Sequence, residues 1–170
     1  HKDRKYLFWL CDFFYLSTLQ TIMEQIAFIP SPLGITKIVG DANGVSVISV
    51  LQEGEQSKKI PKELKVAVTQ LNEYFEGKRQ NFDFKINPKG TDFQQKVWEE
   101  LRNIPFGKTM SYLDLSKKLG DVKAIRAVAS ANGKNPLWIV VPCHRVIGTD
   151  GSLTGYAGGL WRKKWLFEHE

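Results

Sequence analysis

The sequence predicts an α+β protein: a small β-sheet with one helix, followed by a mostly helical half that carries a reactive cysteine. Three observations predict this. Apolar runs flank Asn43-Gly44, the dipeptide that most strongly marks a hairpin, and the second of them alternates. Beyond Thr91 the apolar spacing changes to that of helices, each opened by a Thr, Ser or Asp. Finally, the run Ile139-Val140-Val141 ends in Pro142-Cys143-His144-Arg145-Val146, placing a thiol, an imidazole and a guanidinium side by side. With 170 residues, 42% of them hydrophobic and 25% charged, the chain can form one core, or two small ones sharing an interface.

Residues 1–22 start basic and pass through Tyr6-Leu7-Phe8-Trp9-Leu10-Cys11-Asp12-Phe13-Phe14-Tyr15-Leu16 before turning polar. Asp12 interrupts the apolar run, no small-residue cleavage pattern follows, and the stretch is shorter than the about 20 residues a membrane span needs. An upstream extension with Met23 as the natural start is expected, ahead of an appended helix and of a secretory signal. From Gln25 the pattern is β-like, with Ile26 to Ile29, a turn at Ser31-Pro32-Leu33-Gly34, Ile35 to Val39, and alternation through Val45, Val47, Ser49 and Leu51. Pro61 then precedes a helix in which Leu64, Val68, Leu71 and Phe75 share a face and Gly77 is the stop. Phe82 and Phe84 alternate as a short strand. No catalytic constellation is visible in this half.

Asn87-Pro88-Lys89-Gly90 is the strongest boundary, which divides the chain into an extension at 1–22, an N-terminal part at 23–88 and a C-terminal part at 89–170. Thr91 with Gln94 predicts a capping box, with Phe93, Val97 and Leu101 on one face of the helix it opens. Ser111 with Asp114 predicts another N-cap, for a short helix that turns Leu115 and Leu119 inward and stops at Gly120. A further helix starts at Asp121 and runs to Ala131, so the two form a helix-turn-helix candidate. Between Tyr112 and Asn135 lie five Lys/Arg against two Asp, and small residues surround the single Arg126. Such a helix can approach nucleic acid closely while its arginine inserts beside bases, or it can equally be packed against its neighbours through the alanines. Asn135-Pro136 ends it. Leu137 to Val141 reads as a buried strand delivering Cys143, Asp150-Gly151 as a hairpin turn, Tyr156-Ala157-Gly158-Gly159 as a flexible loop, and Leu160 to Glu170 as a closing helix.

The net charge is +6, and from Thr91 onward there are 12 basic residues against 8 acidic, which permits a polyanionic partner without demanding one. Two cysteines, Cys11 and Cys143, provide neither a disulfide framework nor a paired metal motif, and His1, His144 and His169 are too dispersed for a zinc site. No metal and no cofactor are expected. The pattern fits a reducing, intracellular setting. A thiolate, not a thiol, is the nucleophile, and a neighbouring His or Arg favours its formation. The bland alternative for Cys143 is a small core residue, yet the His and Arg beside it would then need buried partners.

Taken together, Asn135-Pro136, Pro142-Cys143-His144-Arg145-Val146 and Tyr156-Ala157-Gly158-Gly159, with Phe106-Gly107, Ser111-Tyr112 and Arg126-Ala127-Val128 upstream, resemble the bacterial type of the O6-alkylguanine-DNA alkyltransferases. The likeness is dense from Thr91 to Glu170 and loose from Met23 to Gly90. It implies a ribonuclease H-like N-terminal part and a winged helix-turn-helix part. It implies direct-reversal DNA repair, in which the alkyl group of O6-alkylguanine, and of O4-alkylthymine, passes irreversibly to Cys143 in a single turnover. By the same likeness His144 withdraws the thiol proton through a water, Glu170 holds the imidazole, and Asn135 ties the helix-turn-helix to the active-site turn. Arg145 braces that turn. The Cys143 and Val146 carbonyls face the exocyclic amine of the base, the Tyr112 hydroxyl its ring nitrogen, and the Ala157 amide its O6. Tyr156 walls the pocket, Gly158 and Gly159 admit the base, and Lys163 supports the loop. Where the family often has Ser, this chain has Ala157, which removes a hydroxyl contact but keeps the amide. Arg126 replaces the flipped nucleotide, and Ser111, Ala127, Ala129 and Ala131 meet the minor groove of double-stranded DNA. A monomer in the bacterial cytosol with no membrane association is expected.

Sequence neighbours on a regular strand point to opposite faces, so His144 can serve Cys143 only if the backbone bends there. Two other readings compete: a lesion-flagging relative of the same fold, against which Cys143 itself argues, and a helix-turn-helix regulator with a sensor cysteine, for which no dimerisation segment is visible.

Overall fold

The computed structural model describes residues 23–170, so the expectations for residues 1–22, Cys11 included, lie outside the described residues. Three antiparallel strands, β1 (Gln25–Ser31), β2 (Gly34–Asp41) and β3 (Gly44–Leu51), form a meander in that order. The tight turn at Gly44 fits its position, because a side chain there would meet the Lys85 carbonyl at 2.8 Å and its φ is +132°. Helix α1 (Lys65–Phe75) follows a 3-10 turn at Lys62–Leu64, and together they lay Leu64 of the turn and Ala67, Val68, Leu71 and Tyr74 of the helix against the sheet.

The free edge of β3 is where the two halves join. The joint is at Ile48, which donates its N–H to the Pro136 carbonyl at 2.8 Å and accepts from Trp138 N–H at 3.0 Å, while Val45 makes the equivalent pair with Lys85 and Asn87 inside the N-terminal half. An edge strand is an exposed hydrogen-bonding template, and here both of its pairings are internal. The N-terminal sheet thereby anchors the segment that leads to Cys143.

Helix α2 (Asp92–Arg102) opens with the predicted box: Gln94 N–H donates to Thr91 Oγ1, and Gln94 Oε1 accepts from Thr91 N–H. Its buried face is Val97, Trp98 and Leu101 rather than one starting at Phe93, which is exposed. The Trp98 indole donates to the Ala131 carbonyl at 2.9 Å, an internal partner a phenyl ring would not need. Strand β4 (Met110–Ser111) leads into α3 (Tyr112–Lys118), capped by Ser111 as predicted. A 3-10 turn, Val122–Ala124, capped by Asp121, precedes α4 (Ile125–Gly133), so the second helix of the pair is regular only from Ile125. Strand β5 (Val146–Ile147) pairs parallel to β4, and α5 (Leu160–His169) closes the chain. One buried apolar cluster runs from Ala27 to Leu166 through both halves.

Three expected elements are different. Phe82 and Phe84 form no strand; both are half-buried, Phe82 against the Tyr74 ring and Phe84 against Phe82, and only Ile86 of this segment bridges to β3. Asp150-Gly151 makes a turn closed by Gly148 and Ser152, but its flanks do not pair as a hairpin, because β5 is engaged with β4. Leu137 to Val141 is a compact turn, with Val141 N–H bonded to the Leu137 carbonyl at 2.9 Å and Ile139 at φ +74°. A β-branched residue in that region stores about 1–3 kcal/mol of strain, which is tolerable only where the surroundings hold it.

Candidate active site

What holds this turn is Asn135. Its Oδ1 accepts from Leu137 N–H at 2.9 Å, and its Nδ2 donates to the Val141 carbonyl at 2.8 Å and to Cys143 Sγ at 3.1 Å. One buried amide thus clasps both ends of the turn and reaches the sulfur. Cys143, His144 and Arg145 then form a 3-10 turn instead of a strand, which supplies the bend that cooperation between neighbouring side chains requires.

His144 is fully buried, and its Nε2 meets Glu170 Oε1 at 2.8 Å. Arg145 grips the same carboxylate bidentately, Nε to Oε2 at 2.7 Å and the second terminal nitrogen to Oε1 at 3.0 Å, while its other terminal nitrogen donates to the Ile104 carbonyl. Burial by itself pushes the Glu170 carboxyl up, but the hydrogen bonds and charges of His144 and Arg145 overcome it and hold the group well below the usual carboxylate range. An ionised carboxylate at Nε2 fixes the neutral imidazole with its proton on that nitrogen and its lone pair on Nδ1. Nδ1 has no partner among the described residues. Burial, working against the pull of Glu170, lowers the His144 pKa, so the ring is a neutral base at neutral pH.

The neighbouring His and Arg do not leave the thiol ionised at rest. Burial pushes Cys143 up, and the Asn135 amide and the Lys163 charge only partly offset this. The sulfur therefore rests protonated and must lose its proton as the reaction proceeds. Lys163, buried on α5, donates to the Val146 carbonyl at 2.6 Å and to the Thr154 carbonyl at 2.7 Å, binding the catalytic turn to the loop over it; burial lowers its pKa to about 8. Its charge also lies over the Tyr112 ring, 5.9 Å from the centroid.

Above this floor, a cavity of about 560 Å³ lies between α4 and the loop before α5, with Tyr112, Arg126, Ala129, Tyr156 and Ala157 in its walls. It shares Gly133, Gly155, Tyr156 and Ala157 with an inner pocket of only about 10 Å³ that ends at Cys143. Tyr112, at the start of α3, accepts from Asn132 Nδ2 at 3.1 Å, which leaves its hydroxyl hydrogen free to donate elsewhere. The Tyr156 hydroxyl is buried near Cys143 and has no hydrogen-bond partner among the described residues, and its ring packs on Trp138. Gly158 needs to be glycine, since a Cβ would stand 2.5 Å from the Trp138 ring. Gly159, at φ +88°, turns the chain into α5.

Among the DNA-facing candidates, Arg126 and Ala127 are exposed on α4 and Ala129 is half-buried, but Ala131 is 2% exposed and faces the core. For Ala131 the packing role holds, because the α4 stripe turns away from the surface before reaching it. The Ser111 hydroxyl is engaged with Asp114, both as cap acceptor and as donor to the carboxylate at 2.7 Å. Sequence reasoning missed four residues of this site: Tyr74, Asn132, Trp138 and Arg162. Arg162 donates to the Leu33 carbonyl at 2.9 Å and to the Gly158 carbonyl at 2.7 Å, tying the loop to the N-terminal sheet. Arg162 stands in a row of three basic residues with Lys163 and Lys164, so its charge did not single it out. Among the described residues no cluster of His, Cys, Asp and Glu could hold a metal, and no helix is long and apolar enough to cross a membrane.

Two family models match. Residues 92–170 match 6-O-methylguanine DNA methyltransferase, DNA binding domain, and residues 26–88 match 6-O-methylguanine DNA methyltransferase, ribonuclease-like domain. The chain is 43% identical over 149 residues to the methylated-DNA--protein-cysteine methyltransferase of Methanosarcina barkeri, covering 84% of this chain and 94% of that one. The Mycobacterium tuberculosis protein of the same name is 43% identical over 147 residues, covering 84% and 89%. The crystal structure of M. tuberculosis O6-methylguanine methyltransferase superposes with a TM-score of 0.78 at 41% identity, over 86% of this chain and 92% of that one. The M. tuberculosis OGT in complex with DNA gives 0.77 at 43% identity, over 84% and 90%.

Proposed function

We propose, from the premise that this chain belongs to the 6-O-methylguanine DNA methyltransferase family, that Cys143 is the acceptor of the alkyl group and His144 and Glu170 its proton-handling partners. The protein repairs DNA by transferring alkyl groups to its own cysteine, and DNA is its partner. The observation that carries the assignment is two buried pairs, Asn135 on the Cys143 sulfur and Glu170 on His144, held on one turn at the foot of a cavity walled by the second helix of a helix-turn-helix.

In this reading the thiol proton passes to Nδ1 of His144, through a water, as the sulfur attacks the alkyl carbon. The C–S bond forms, the C–O bond breaks, and the electron pair leaves with guanine O6. Glu170 stabilises the imidazolium, and the free hydrogen of Tyr112 serves the purine ring as it becomes anionic. Catalysis is then by pre-set charge in a buried site rather than by a resting thiolate. The thioether is stable, so each molecule acts once. The Val146 carbonyl already accepts from Lys163, so its second lone pair is the one available to the exocyclic amine.

A guanine in a duplex hides O6, so the nucleotide must be flipped out, at a cost of a few kcal/mol. Arg126, exposed at the cavity mouth, fills the gap in the stack, with Ala127 and Ala129 against the minor groove. The inner pocket is far smaller than a purine, so the 155–159 loop shifts to admit the base. Affinity comes mainly from phosphates, giving little sequence preference and strong salt dependence. A monomer suffices, since one chain carries every group named, and the cytosol is the compartment in which this reading places it.

Incubation with a duplex containing O6-methylguanine, followed by intact-mass and peptide analysis, tests the assignment. A gain of one methyl group on Cys143, absent in Cys143→Ala, is expected. An unmodified wild-type protein would overturn it.

A further inference from the structure

We infer that Tyr74, in the N-terminal half, is a positioning residue for alkyl transfer, its hydroxyl holding the Glu170 oxygen that in turn holds His144. The inference rests on the alkyl-transfer reading above and assigns the N-terminal half a share in the chemistry.

Tyr74 lies on α1, fully buried, and donates to Glu170 Oε1 at 2.8 Å. That is the same atom that meets His144 Nε2 at 2.8 Å. The carboxylate is thus fixed from three directions: Tyr74 from α1, Gly107 N–H at 3.4 Å from the loop after α2, and His144 with Arg145 from the catalytic turn. The phenol is itself fixed. Its ring meets Phe82, Phe106 and His169 at centroid distances of 5.6, 6.4 and 5.1 Å, and its own carbonyl accepts from His169 Nε2 at 2.7 Å. A packing tyrosine needs any acceptor for its hydroxyl, whereas this one has the oxygen on which the orientation of the base depends.

The donor acts on His144 in two ways. It fixes the plane of the carboxylate and therefore of the imidazole, and it takes up part of the negative charge that would otherwise draw a proton onto the ring. The titratable and charged groups around this oxygen are His144, Arg145 and Tyr74, with Lys163 of α5 acting on His144 from further away and His169 of α5 against the Tyr74 ring. Burial and the carboxylate hold the phenol well above its ordinary pKa, so it stays a donor throughout the working range. Without the hydroxyl, Glu170 draws on His144 more strongly, so the ring stays protonated to higher pH, and its lone pair is less firmly aimed for taking the thiol proton.

The experiment compares wild type with Tyr74→Phe, which keeps the ring, in methyl transfer from O6-methylguanine, both in a duplex and as the free base, across about pH 5 to 9. Expected is a rate lower by about tenfold at neutral pH on both substrates, with the acid limb moved to higher pH and duplex affinity unchanged. Wild-type rates and an unmoved acid limb, even alongside a lower unfolding midpoint, would mean that Tyr74 only packs, and would overturn the inference while leaving the alkyl-transfer reading intact. A wild-type protein that transfers nothing overturns both. Should the variant fail to fold, NMR of wild type decides: a slowly exchanging Tyr74 hydroxyl proton with a cross-peak to the His144 Nε2 proton supports the inference, and a freely exchanging hydroxyl refutes it.

Discussion

Replacing Glu170 by Gln removes one charge and almost no volume, yet its consequences can be worked atom by atom. In the native site Oε1 accepts from Tyr74, His144 and Arg145, and Oε2 from Arg145 and the Gly107 N–H. An amide must put its NH2 at one of these places. At the Oε2 position it opposes two donors. At the Oε1 position it opposes Arg145 and forces His144 into the other tautomer, with its proton on Nδ1 and no base left to serve Cys143. In either arrangement Arg145, whose side chain is 9% exposed, loses the charge that compensates it. Breaking a buried pair from one side costs about 3–5 kcal/mol, and at this chain length about 3 kcal/mol lowers Tm by roughly 6–12 °C. Loss of an oriented general base lowers the transfer rate by about 100-fold or more. Thermal unfolding and the second-order rate of methyl transfer measure the two effects. Glu170 titrates below its unfolded value, so the stability it contributes is present above the ordinary carboxylate range and is lost as the pH falls through and below it. The wild type and the variant should therefore converge in acid. A destabilisation under about 1 kcal/mol together with a rate within about threefold of wild type would refute the account of the site.

Arg126→Ala should slow repair of duplex DNA by at least about tenfold while leaving reaction with free O6-methylguanine unchanged; equal losses on both substrates would remove the wedge role. Gly158→Ala places a Cβ 2.5 Å from the Trp138 ring and should cost about 1–3 kcal/mol of stability with a change in tryptophan emission, whereas unaltered unfolding and emission would show that the loop yields freely. Lys163 titrates at about 8 in the folded protein against 10.5 ordinarily, so the unfolded chain binds more protons in that window. This residue therefore makes stability rise with pH from about 8 to 10.5. Urea unfolding of Lys163→Met should lack that rise, and parallel pH curves for the two proteins would contradict the burial argument.

Much of this molecule is written in local chemistry, and those parts were legible from the sequence. The Asn43-Gly44 hairpin, the Thr91–Gln94 capping box and the Ser111 and Asp121 caps depend on side chains acting within three residues of themselves, so spacing alone locates them. The Pro-Cys-His-Arg-Val stretch named the reacting group for the same reason: its residue types are uncommon together. Tertiary structure decided the rest. The apolar run Leu137 to Val141 satisfies a strand pattern, but β3 takes up only Leu137, and Asn135 clasps the remainder into a turn with Ile139 left-handed, a choice made by partners that lie far away in the chain or are hidden inside one amide. Ala127, Ala129 and Ala131 look alike in sequence, yet packing against Trp98 takes the last of them out of the exposed face. The resting state of the thiol was not legible, because neighbours in sequence suggest charge, whereas burial, which raises its pKa, exists only once the chain has closed. The clearest case is Glu170. It lies 25 residues from Arg145, 26 from His144 and 96 from Tyr74, and no periodicity links them. Sequence determined which groups are available, and only the packing of α1 and α5 around the catalytic turn determined that they share one carboxylate.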